Sequence, residues 1–540
     1  MSSSSKLVTQ FHVKIDGTFV PEAFMQDVFE VSVQNSLHLP DVATIILNDK
    51  KLTWIDDALC APGKEVQVLG TASPEKSKAG AIFDGEIVEL EPEFGAKTHR
   101  LAIRAFDRLH RLTRGRFVRS FQNVTDGDIA AQFAKEASLQ TDIDPTRQVH
   151  EYLFQNNETN LEFLRQRATS IGYLCYVFGK KLCFKKLAHE GPAIPLDWGA
   201  SLGELRVRMT TISQVNKVSV RGWDPKAKQK IVSEATKGEG MRKIGETRPG
   251  GDVAKEAFHI DAGMLVSSGP IRAQLGADQA AQAAADRFAE RFVEAEGACG
   301  GNPDIVAGAT VKIESIGKRF GGEYFVTAAT HRFSTKDGYT TQFSISGQTP
   351  ATLLRFLQKD EAPGHRDGLV IAVVTDNQDP LGWGRVKVKY PWLSDEHASD
   401  WARVVSVGGG AERGVEFLPE IDDEVLVGFE MGDMRSPYVL GGLWNGRDLP
   451  PKKSRDVITG GKVQKRIIRS RSGHSLVFDD ADGAGSITIE DKNGNKMTFD
   501  SASNALAIDV KGNLTIDAKG TLSIKAGGPL TIQGAVIKLN

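Results

Sequence analysis

The sequence predicts a mainly β protein of several domains that ends in a repetitive β-structure. Three observations carry this prediction. Short alternating apolar segments, separated by turn residues, recur along most of the 540 residues. The chain holds 55 glycines, a larger share than the roughly 7% of ordinary proteins, as frequent turns require. Its C-terminal segment repeats an eight-residue unit in which apolar and polar residues alternate.

Composition narrows the class of protein. Hydrophobic residues make up 40% and charged residues 25% of the chain, which is typical of soluble globular proteins. The 67 Lys and Arg nearly balance the 69 Asp and Glu, so the net charge of −2 gives no global attraction to nucleic acid or to an anionic membrane. We expect no secretory signal in the polar segment 1–6 and no membrane-spanning helix.

The four cysteines do not form a metal-ligand or disulfide pattern. Their spacing contains no CxxC pair, so we expect reduced thiols. One pair could face each other across a hairpin around Gly179 and Lys180, namely Cys175 and Cys183. The other two are Cys60 and Cys299.

Residues 1–116 are read as strands and turns. Alternating segments at 11–15, 31–33, 43–47, 65–69, 81–83 and 101–103 favour a barrel or sandwich. Residues 117–200 add two helices. Thr125 with Asp128, and Thr159 with Glu162, have the form of helix N-caps, and Gly172 is placed to end the second helix.

Residues 201–360 return to β-structure. We predict a strand at 215–220, a surface loop at 225–251, and a long helix at 277–296 that stops at Gly297. Strands at 309–313, 324–327 and 339–345 follow. The segments before and after the helical insert are therefore both predicted to consist mainly of short β-strands.

Residues 364–449 are predicted to form a small five-stranded barrel of the OB type. The predicted strands lie at 369–374, 384–390, 401–406, 423–429 and 437–440. Pro450 and Pro451 end the module, and residues 450–465 are interpreted as a linker.

The C-terminal octets place their apolar residues on one face of a strand. Leucine recurs at the second position, isoleucine at the fourth, and glycine at the eighth until Val536 replaces it. The predicted core residues are Leu506, Ile508, Leu514, Ile516, Leu522, Ile524, Leu530 and Ile532. One chain of octets cannot bury this face, whereas three intertwined chains can. A single-chain β-solenoid is the alternative, which the shortness of eight residues for a complete turn disfavours.

Several ordered motifs resemble those of phage baseplate spikes and of valine-glycine-repeat G (VgrG) proteins. The OB-type module is similar at residues 376–388, 390–392, 419–427, 432–433, 437–441 and 444–446, with Asp422 where the family usually has glycine. Residues 155–164 with Gly172 and Tyr173, and residues 321–327 with His331 and 338–341, resemble the tube hub of the same family.

The resemblance implies a fold class of tube-hub β-barrels with a small α/β insert, an OB-fold barrel and a C-terminal intertwined trimeric β-helix. The implied division is a first hub half at 1–116, an insert at 117–200, a second hub half at 201–360, the OB module at 364–449, a linker at 450–465 and the β-helix at 466–540.

The implied function is structural. The chain is expected to be the homotrimeric central spike of a contractile injection apparatus. That apparatus could be a phage tail, an extracellular phage-tail-like particle or a type VI secretion machine. Its expected partners are two further copies, a hexameric inner-tube protein, baseplate proteins, a PAAR-like tip protein and, mechanically, the target cell envelope. We expect assembly in the cytoplasm and no partner nucleic acid. A trimeric tail-fibre-like adhesin for a surface glycan is the alternative.

Nothing in the sequence predicts an enzyme, a cofactor or a metal site. Only about 20 residues separate Asn445 from Arg466, too few for a catalytic domain. His397 lacks a second histidine at helical spacing, and the glycines at 408–410 precede no helix. The tryptophans at 383, 392 and 401 are interpreted as packing residues, with single-strand binding as the alternative.

Two features could recruit partners. A basic segment follows the OB module and is interpreted as a solvated linker, with contact to an acidic protein surface as the alternative. Its members are Lys452, Lys453, Arg455, Lys462, Lys465, Arg466, Arg469 and Arg471. The last apolar residues are expected to dock a tip protein, and these candidate docking residues are Val536, Ile537, Leu539 and Asn540.

Overall fold

The computed structural model describes residues 10–71, 80–96, 98–186, 191–239, 242–266, 270–334, 338–347, 368–393 and 396–538. The mainly β class is confirmed, with a few helices between the strands. The chain divides into two compact units, Met1–Gly442 and Leu443–Asn540. The predicted boundary between the hub and the OB module falls at residues 348–367, outside the described residues.

The first β-region is an antiparallel arrangement in which every second residue is buried. Its core includes Val33, Ile45, Leu47, Val66 and Ile103. The strands are β1 (Gln10–Ile15), β2 (Thr18–Phe19), β3 (Val28–Ser36), β4 (Val42–Asn48), β5 (Glu65–Thr71), β6 (Gly80–Phe94) and β7 (His99–Phe106). Helix α1 (Glu22–Asp27) and 3₁₀ turns at Ala58–Cys60 and Arg108–Thr113 interrupt them.

The insert contains the two helices that capping chemistry predicted. Thr125 and Thr159 each accept a bond from the N3 amide of their helix, and the N3 carboxylate bonds back to the cap. Gly172 ends the second helix at φ 73°. The elements are β8 (Phe117–Thr125), α2 (Asp126–Glu136), β9 (Gln140–Ile143), β10 (Val149–Glu158), α3 (Asn160–Ile171), β11 (Tyr173–Phe178), β12 (Lys181–Lys186) and β13 (Ile194–Asp197).

The four cysteines are free, as the sequence predicted, and Cys175 and Cys183 do not face each other. In the β11–β12 hairpin Cys175 lies opposite Phe184, and Cys183 lies opposite Tyr176. Since successive strand residues point to opposite faces, the two thiols lie on different sides of the hairpin. All four cysteines are free and buried.

The second β-region corrects two predictions. The segment 225–251, predicted to be a loop, contains two strands and the start of a helix. The long helix ends at Glu290, and residues 293–300 form a strand whose buried and less buried residues alternate with period two. The elements are β14 (Leu202–Met209), β15 (Lys217–Asp224), β16 (Gln229–Ala235), β17 (Lys243–Ile244), α4 (Gly250–Phe258), β18 (Gly263–Val266), α5 (Gln274–Glu290), β19 (Val293–Gly300), β20 (Thr310–Glu314), β21 (Gly322–Phe325), β22 (Ala328–Ser334) and β23 (Gly338–Ile345).

The two β-regions share one half-barrel sheet of eleven strands. Strand β3 of the first region pairs antiparallel with β22 of the second, with Val33 opposite His331. The sequence predicted two similar halves, and the structure joins them edge to edge. A four-stranded sheet of β13, β20, β21 and β17 contributes to the second core.

Buried polar clusters fix the insert to the first β-region. The Arg108 side chain is buried, contacts Asp84 at 2.9 Å and Glu65 at 3.0 Å, and donates to the Gly179 carbonyl at the β11–β12 turn. These carboxylates compensate the desolvation of the guanidinium. The insert hairpin is thereby held against β5 and β6.

Two further buried polar clusters involve the insert. Within it, Arg167 Nε lies 2.6 Å from Asp126 Oδ1, and both side chains are buried. Asp107 follows β7, and its carboxylate accepts the Leu109 amide at 3.0 Å. Burial, together with the charge of the neighbouring Asp41 carboxyl, raises the pKa of Asp107 to about 8.

The OB module has the five strands that the sequence predicted. They pair in the order β25–β24–β27–β28–β26, around a core that includes Val374, Val388 and Val427. The strands are β24 (Val370–Asp376), β25 (Lys387–Lys389), β26 (Arg403–Val404), β27 (Glu424–Phe429) and β28 (Pro437–Gly442). Gly408–Gly410 lie in a turn closed by a bridge between Gly410 and Arg413.

The second unit begins with a small ribbon and a meander, so that in the single chain the segment predicted as a β-helix starts with antiparallel hairpins. The trimeric β-helix at 466–540 stays a prediction. Residues 465–509 form a five-stranded antiparallel sheet of consecutive hairpins, including the predicted core residues Leu506 and Ile508. The elements are α6 (Ser454–Val457), β29 (Ile458–Thr459), β30 (Lys462–Val463), β31 (Lys465–Arg469), β32 (Ser475–Asp479), β33 (Ser486–Glu490), β34 (Lys496–Asp500) and β35 (Ala505–Asp509).

Candidate assembly surface

One face of the β31–β35 meander is almost entirely apolar. Two rows of side chains cross the sheet. The first row joins Phe478, Ile487, Phe499 and Leu506 through consecutive cross-strand partners. The second row joins Ile468, Leu476, Ile489, Met497 and Ile508 in the same way. The opposite face carries mostly polar residues, such as Ser475, Thr488 and Lys496, because strand residues alternate between faces.

This apolar face is exposed in the single chain. The exposed fraction is 39% for Ile487, 44% for Phe499 and 55% for Leu506. Together the two rows form a contiguous patch larger than scattered surface hydrophobics produce. Contiguous exposed apolar patches of this kind are typical of interaction surfaces. We call these two rows the needle face.

The octets continue the same chemistry beyond the meander. In the single chain, residues 510–538 form no regular strand, and their predicted core residues are exposed. Ile516, for example, is 64% exposed. The assignment of Leu506, Ile508, Leu514, Ile516, Leu522, Ile524, Leu530 and Ile532 to a trimeric core stays a prediction.

The predicted tip-docking residues are only partly described. Val536 and Ile537 are exposed. Leu539 and Asn540 lie outside the described residues.

The OB module is joined to the insert by contacts that the sequence did not reveal. Phe154 of β10 lies in the hydrophobic core of the OB module. The Tyr152 hydroxyl, two residues earlier on the same face, donates to the Ala398 carbonyl at 2.8 Å. The second β-region also contacts the OB module, through an ion pair between Arg272 and Glu430 at 3.2 Å. In the sequence, only the alternation of Tyr152 and Phe154 indicated a buried face. Ala398, which accepts the Tyr152 hydrogen bond, lies 246 residues further along the chain.

The aromatic and basic cluster of the OB module is engaged internally. Asp379 holds the Arg385 guanidinium in a bidentate pair and also accepts the backbone amides of Leu381 and Trp383. Hydrogen bonds from Arg385 hold the pKa of this carboxyl well below its usual range. The Arg385 guanidinium lies 4.9 Å from the Trp383 ring centre. The Trp383 and Trp392 side chains are nevertheless 42% and 45% exposed in the single chain, so the interpretation of the cluster as packing residues stays a prediction.

Neither a metal cluster nor a spanning helix was found in the part of the chain that the structure describes. No group of three or more His, Cys, Asp or Glu side chains converges there in a way that could hold an ion. No helix among the described residues is long and apolar enough to cross a membrane.

Two models of known protein families match segments of this chain. The family model of the Alg8 N-terminal domain matches residues 4–335, more than half of the chain. The chain belongs to this family. A second model, the type VI secretion system/phage-baseplate injector OB domain, matches residues 370–444, where the structure has its five-stranded module.

Curated relatives are spike proteins of type VI secretion systems. VgrG5 of Pseudomonas aeruginosa is 35% identical over 111 residues, 18% of this chain and 14% of the relative. VgrG3 of Vibrio cholerae is 29% identical over 131 residues, 23% of this chain and 13% of the relative. The chain thus spans only a small part of these relatives' length.

Solved structures share the fold over more of the chain. An Escherichia coli type VI component, c3393, described as similar to the T4 tail proteins gp27 and gp5, covers 80% of this chain and 99% of its own. Its TM-score is 0.52 at 14% identity. A chain of a Francisella PdpA–VgrG complex covers 93% of this chain and 87% of its own, with TM-score 0.54 at 10% identity. The resemblance to VgrG-like spike proteins of contractile injection systems is confirmed.

Proposed function

We propose that this chain is the structural, homotrimeric central spike of a contractile injection apparatus. It joins a hexameric inner tube to a membrane-puncturing tip, and its contacts with baseplate proteins fix it in the machine. The observation that carries the proposal is the needle face, which one chain leaves exposed. Three copies bury these faces against one another, because apolar surface removed from water contributes roughly 25 cal/mol per Å².

The proposed mechanism is mechanical and includes no reaction. Contraction drives the tube and spike forward, and a stiff trimeric needle concentrates the force on a small area of the target envelope. The joined eleven-stranded sheet and the Phe154 contact with the OB core favour force transmission, since they connect hub, insert and OB module in one compact unit. We propose assembly in the cytoplasm as part of a phage-tail-like particle.

Paired substitutions in one octet test the trimer. Ile516→Asp places three carboxylates in the proposed apolar core, where ionised groups are very costly. Thr515→Asp changes the neighbouring residue, which alternation puts on the outer face. We expect Ile516→Asp to abolish the trimer and Thr515→Asp to preserve it, as measured by light scattering of the purified proteins. Equal effects would refute the assignment of strand faces.

A truncation tests the proposed tip contact. Deleting residues 529–540 removes the last octet together with the docking residues. We expect loss of a co-expressed PAAR-like tip protein in a pull-down, while the truncated spike remains trimeric. Retention of the tip by that trimer would show that the docking surface lies elsewhere.

A further inference from the structure

The segment after the OB module concentrates positive charge. Residues 452–471 contain one acidic residue, Asp456, and eight basic ones. We call this segment the basic collar. Its basic residues are Lys452, Lys453, Arg455, Lys462, Lys465, Arg466, Arg469 and Arg471.

Folding neutralises only part of this charge. Lys465 lies 3.3 Å from Asp479, and Arg466 pairs with Asp480. Arg455 faces Asp456 at 3.7 Å. The structure gives no ion pair with any described residue for four exposed cations, which are Lys452, Lys453, Lys462 and Arg469. A surface of uncompensated cations attracts an acidic partner and accelerates its association.

An exposed apolar pair lies within the same segment. The ribbon β29–β30 turns at Gly460 and Gly461, whose φ angles of 57° and 78° fit a two-residue hairpin turn. Ile458 and Val463 are direct cross-strand partners, so both side chains lie on one face, where they are 43% and 46% exposed. These two strands pair only with each other among the described residues.

The ribbon is anchored at its base. The Gln464 amide donates to the Val457 carbonyl at 2.7 Å, and the Asp480 amide donates to the Gln464 carbonyl at 2.6 Å. The second bond ties the ribbon to the residue that follows β32. The ribbon therefore presents its cations and its apolar pair from a fixed base, which reduces the entropy lost on binding.

The chemistry of the collar selects among polyanions. Residues 452–471 contain no aromatic side chain. Single-stranded nucleic acids are held largely by stacking on aromatic rings, and membrane-surface segments commonly insert aromatic side chains among their apolar residues. A β-branched pair beside lysines instead matches a protein segment in which carboxylates alternate with aliphatic residues.

We propose that the basic collar docks an acidic, partly aliphatic segment of another protein. Carboxylates of that segment pair with the four free cations, and its aliphatic side chains cover Ile458 and Val463. The proposal does not depend on the trimer, since one chain carries the complete surface. Three collars around a trimeric spike would bind with higher avidity.

Fluorescence anisotropy on the full-length protein tests this docking surface. The first probe is a labelled twelve-residue peptide of glutamate with leucine at every third position, and the second replaces leucine with serine. The other two probes are a thirty-nucleotide oligo-dT and vesicles containing one-third phosphatidylglycerol. We expect the glutamate–leucine peptide to bind most tightly, and its affinity to fall as salt rises.

Two charge-matched variants supply the control. The collar variant replaces Lys452, Lys453, Lys462 and Arg469 by serine. The control variant also introduces four serines, in place of four lysines of the same unit that lie outside the collar, namely Lys492, Lys519, Lys525 and Lys538. Four exposed ion pairs of a few tenths of a kcal/mol each amount to roughly a tenfold loss of affinity. We expect that loss in the collar variant, and less than about twofold loss in the control.

A third variant separates the apolar contribution. Ile458→Ser with Val463→Ser should weaken binding of the glutamate–leucine peptide and leave the glutamate–serine peptide unaffected. Equal loss in the collar and control variants would refute the proposal. So would tighter binding of oligo-dT or vesicles than of the peptide, or the absence of saturable peptide binding.

Discussion

Placing a charge on the needle face tests the burial argument at one residue. Ile487 lies in the middle strand of the meander and is 39% exposed in the single chain. Complete burial of an isoleucine contributes about 1.5–3 kcal/mol. Partners that cover the remaining two-fifths would therefore contribute about 1 kcal/mol per chain, or about 3 kcal/mol per trimer. Ile487→Asp loses this contribution and buries a carboxylate beside Phe478 and Phe499, which costs several kcal/mol more per chain.

Thr488→Asp is the matched control. Thr488 follows Ile487 in the same strand and lies on the polar face, where surface substitutions typically change stability by about 0.5 kcal/mol. Both variants are compared with the wild type by light scattering at micromolar concentration and by thermal unfolding. We expect Ile487→Asp to yield monomers and Thr488→Asp to keep the assembly. If Ile487→Asp assembles and unfolds like Thr488→Asp, the needle face is not an interface.

Three further predictions concern the first unit, each checked by denaturant or thermal unfolding of purified protein. The folded-state pKa of Asp107 is raised to about 8, so the stability that its protonated carboxyl contributes is complete below pH 4 and is lost as pH rises toward 8. Asp107→Asn cannot ionise, and its free energy of unfolding should therefore rise relative to that of the wild type between pH 5 and pH 8. Parallel stability–pH profiles of the two proteins would contradict this. Arg167→Met removes the guanidinium from the buried Asp126 carboxylate, which keeps only its contact with His150 at 3.2 Å, and should cost about 3 kcal/mol. Arg116→Met, at an exposed pair with its side chain half exposed, should cost less than about 1 kcal/mol; similar losses would refute the contrast. Tyr152→Phe removes the bond to the OB module and should cost about 1 kcal/mol, and an unchanged midpoint would show that the bond contributes nothing.

The local elements were predictable where a local chemical signal defines them. Thr125 and Thr159 begin their helices with capping boxes that three-residue spacing made visible. Gly172 ends its helix in the left-handed region, which glycine adopts at low cost. The OB strands were equally visible, because alternating apolar residues lie between turn residues.

One error arose where apolar residues fit both the spacing of a helix and the alternation of a strand. Phe292 and Ala295 extend the apolar stripe of α5 at helical spacing, yet Phe292 lies in the turn after the helix and Ala295 belongs to β19, which pairs with β14 and β23. Long-range pairing decided the structure there, and the sequence holds no local signal for it. The meander was missed for a related reason, because hairpins and octets share the same alternation. Asp482-Gly483 and Asn493-Gly494, both at turns, were the signals that distinguish hairpins from octets.

The sequence predicted only the C-terminal part of the needle face. Alternation correctly assigned Leu506 and Ile508 to one apolar face, and the structure extends that face upstream to Phe478 and Ile487. The contact of Phe154 with the OB core was not predictable, because it depends on segments more than 200 residues apart in the sequence.

The mass of the purified, full-length protein in solution tests the central claim most directly. The proposed trimer predicts a single species of about three times 58.6 kDa by light scattering, unchanged on dilution into the nanomolar range. Such stability is expected because every needle face is buried only by its partners. A folded, monodisperse monomer of 58.6 kDa would contradict the account, since its needle face would then remain in water.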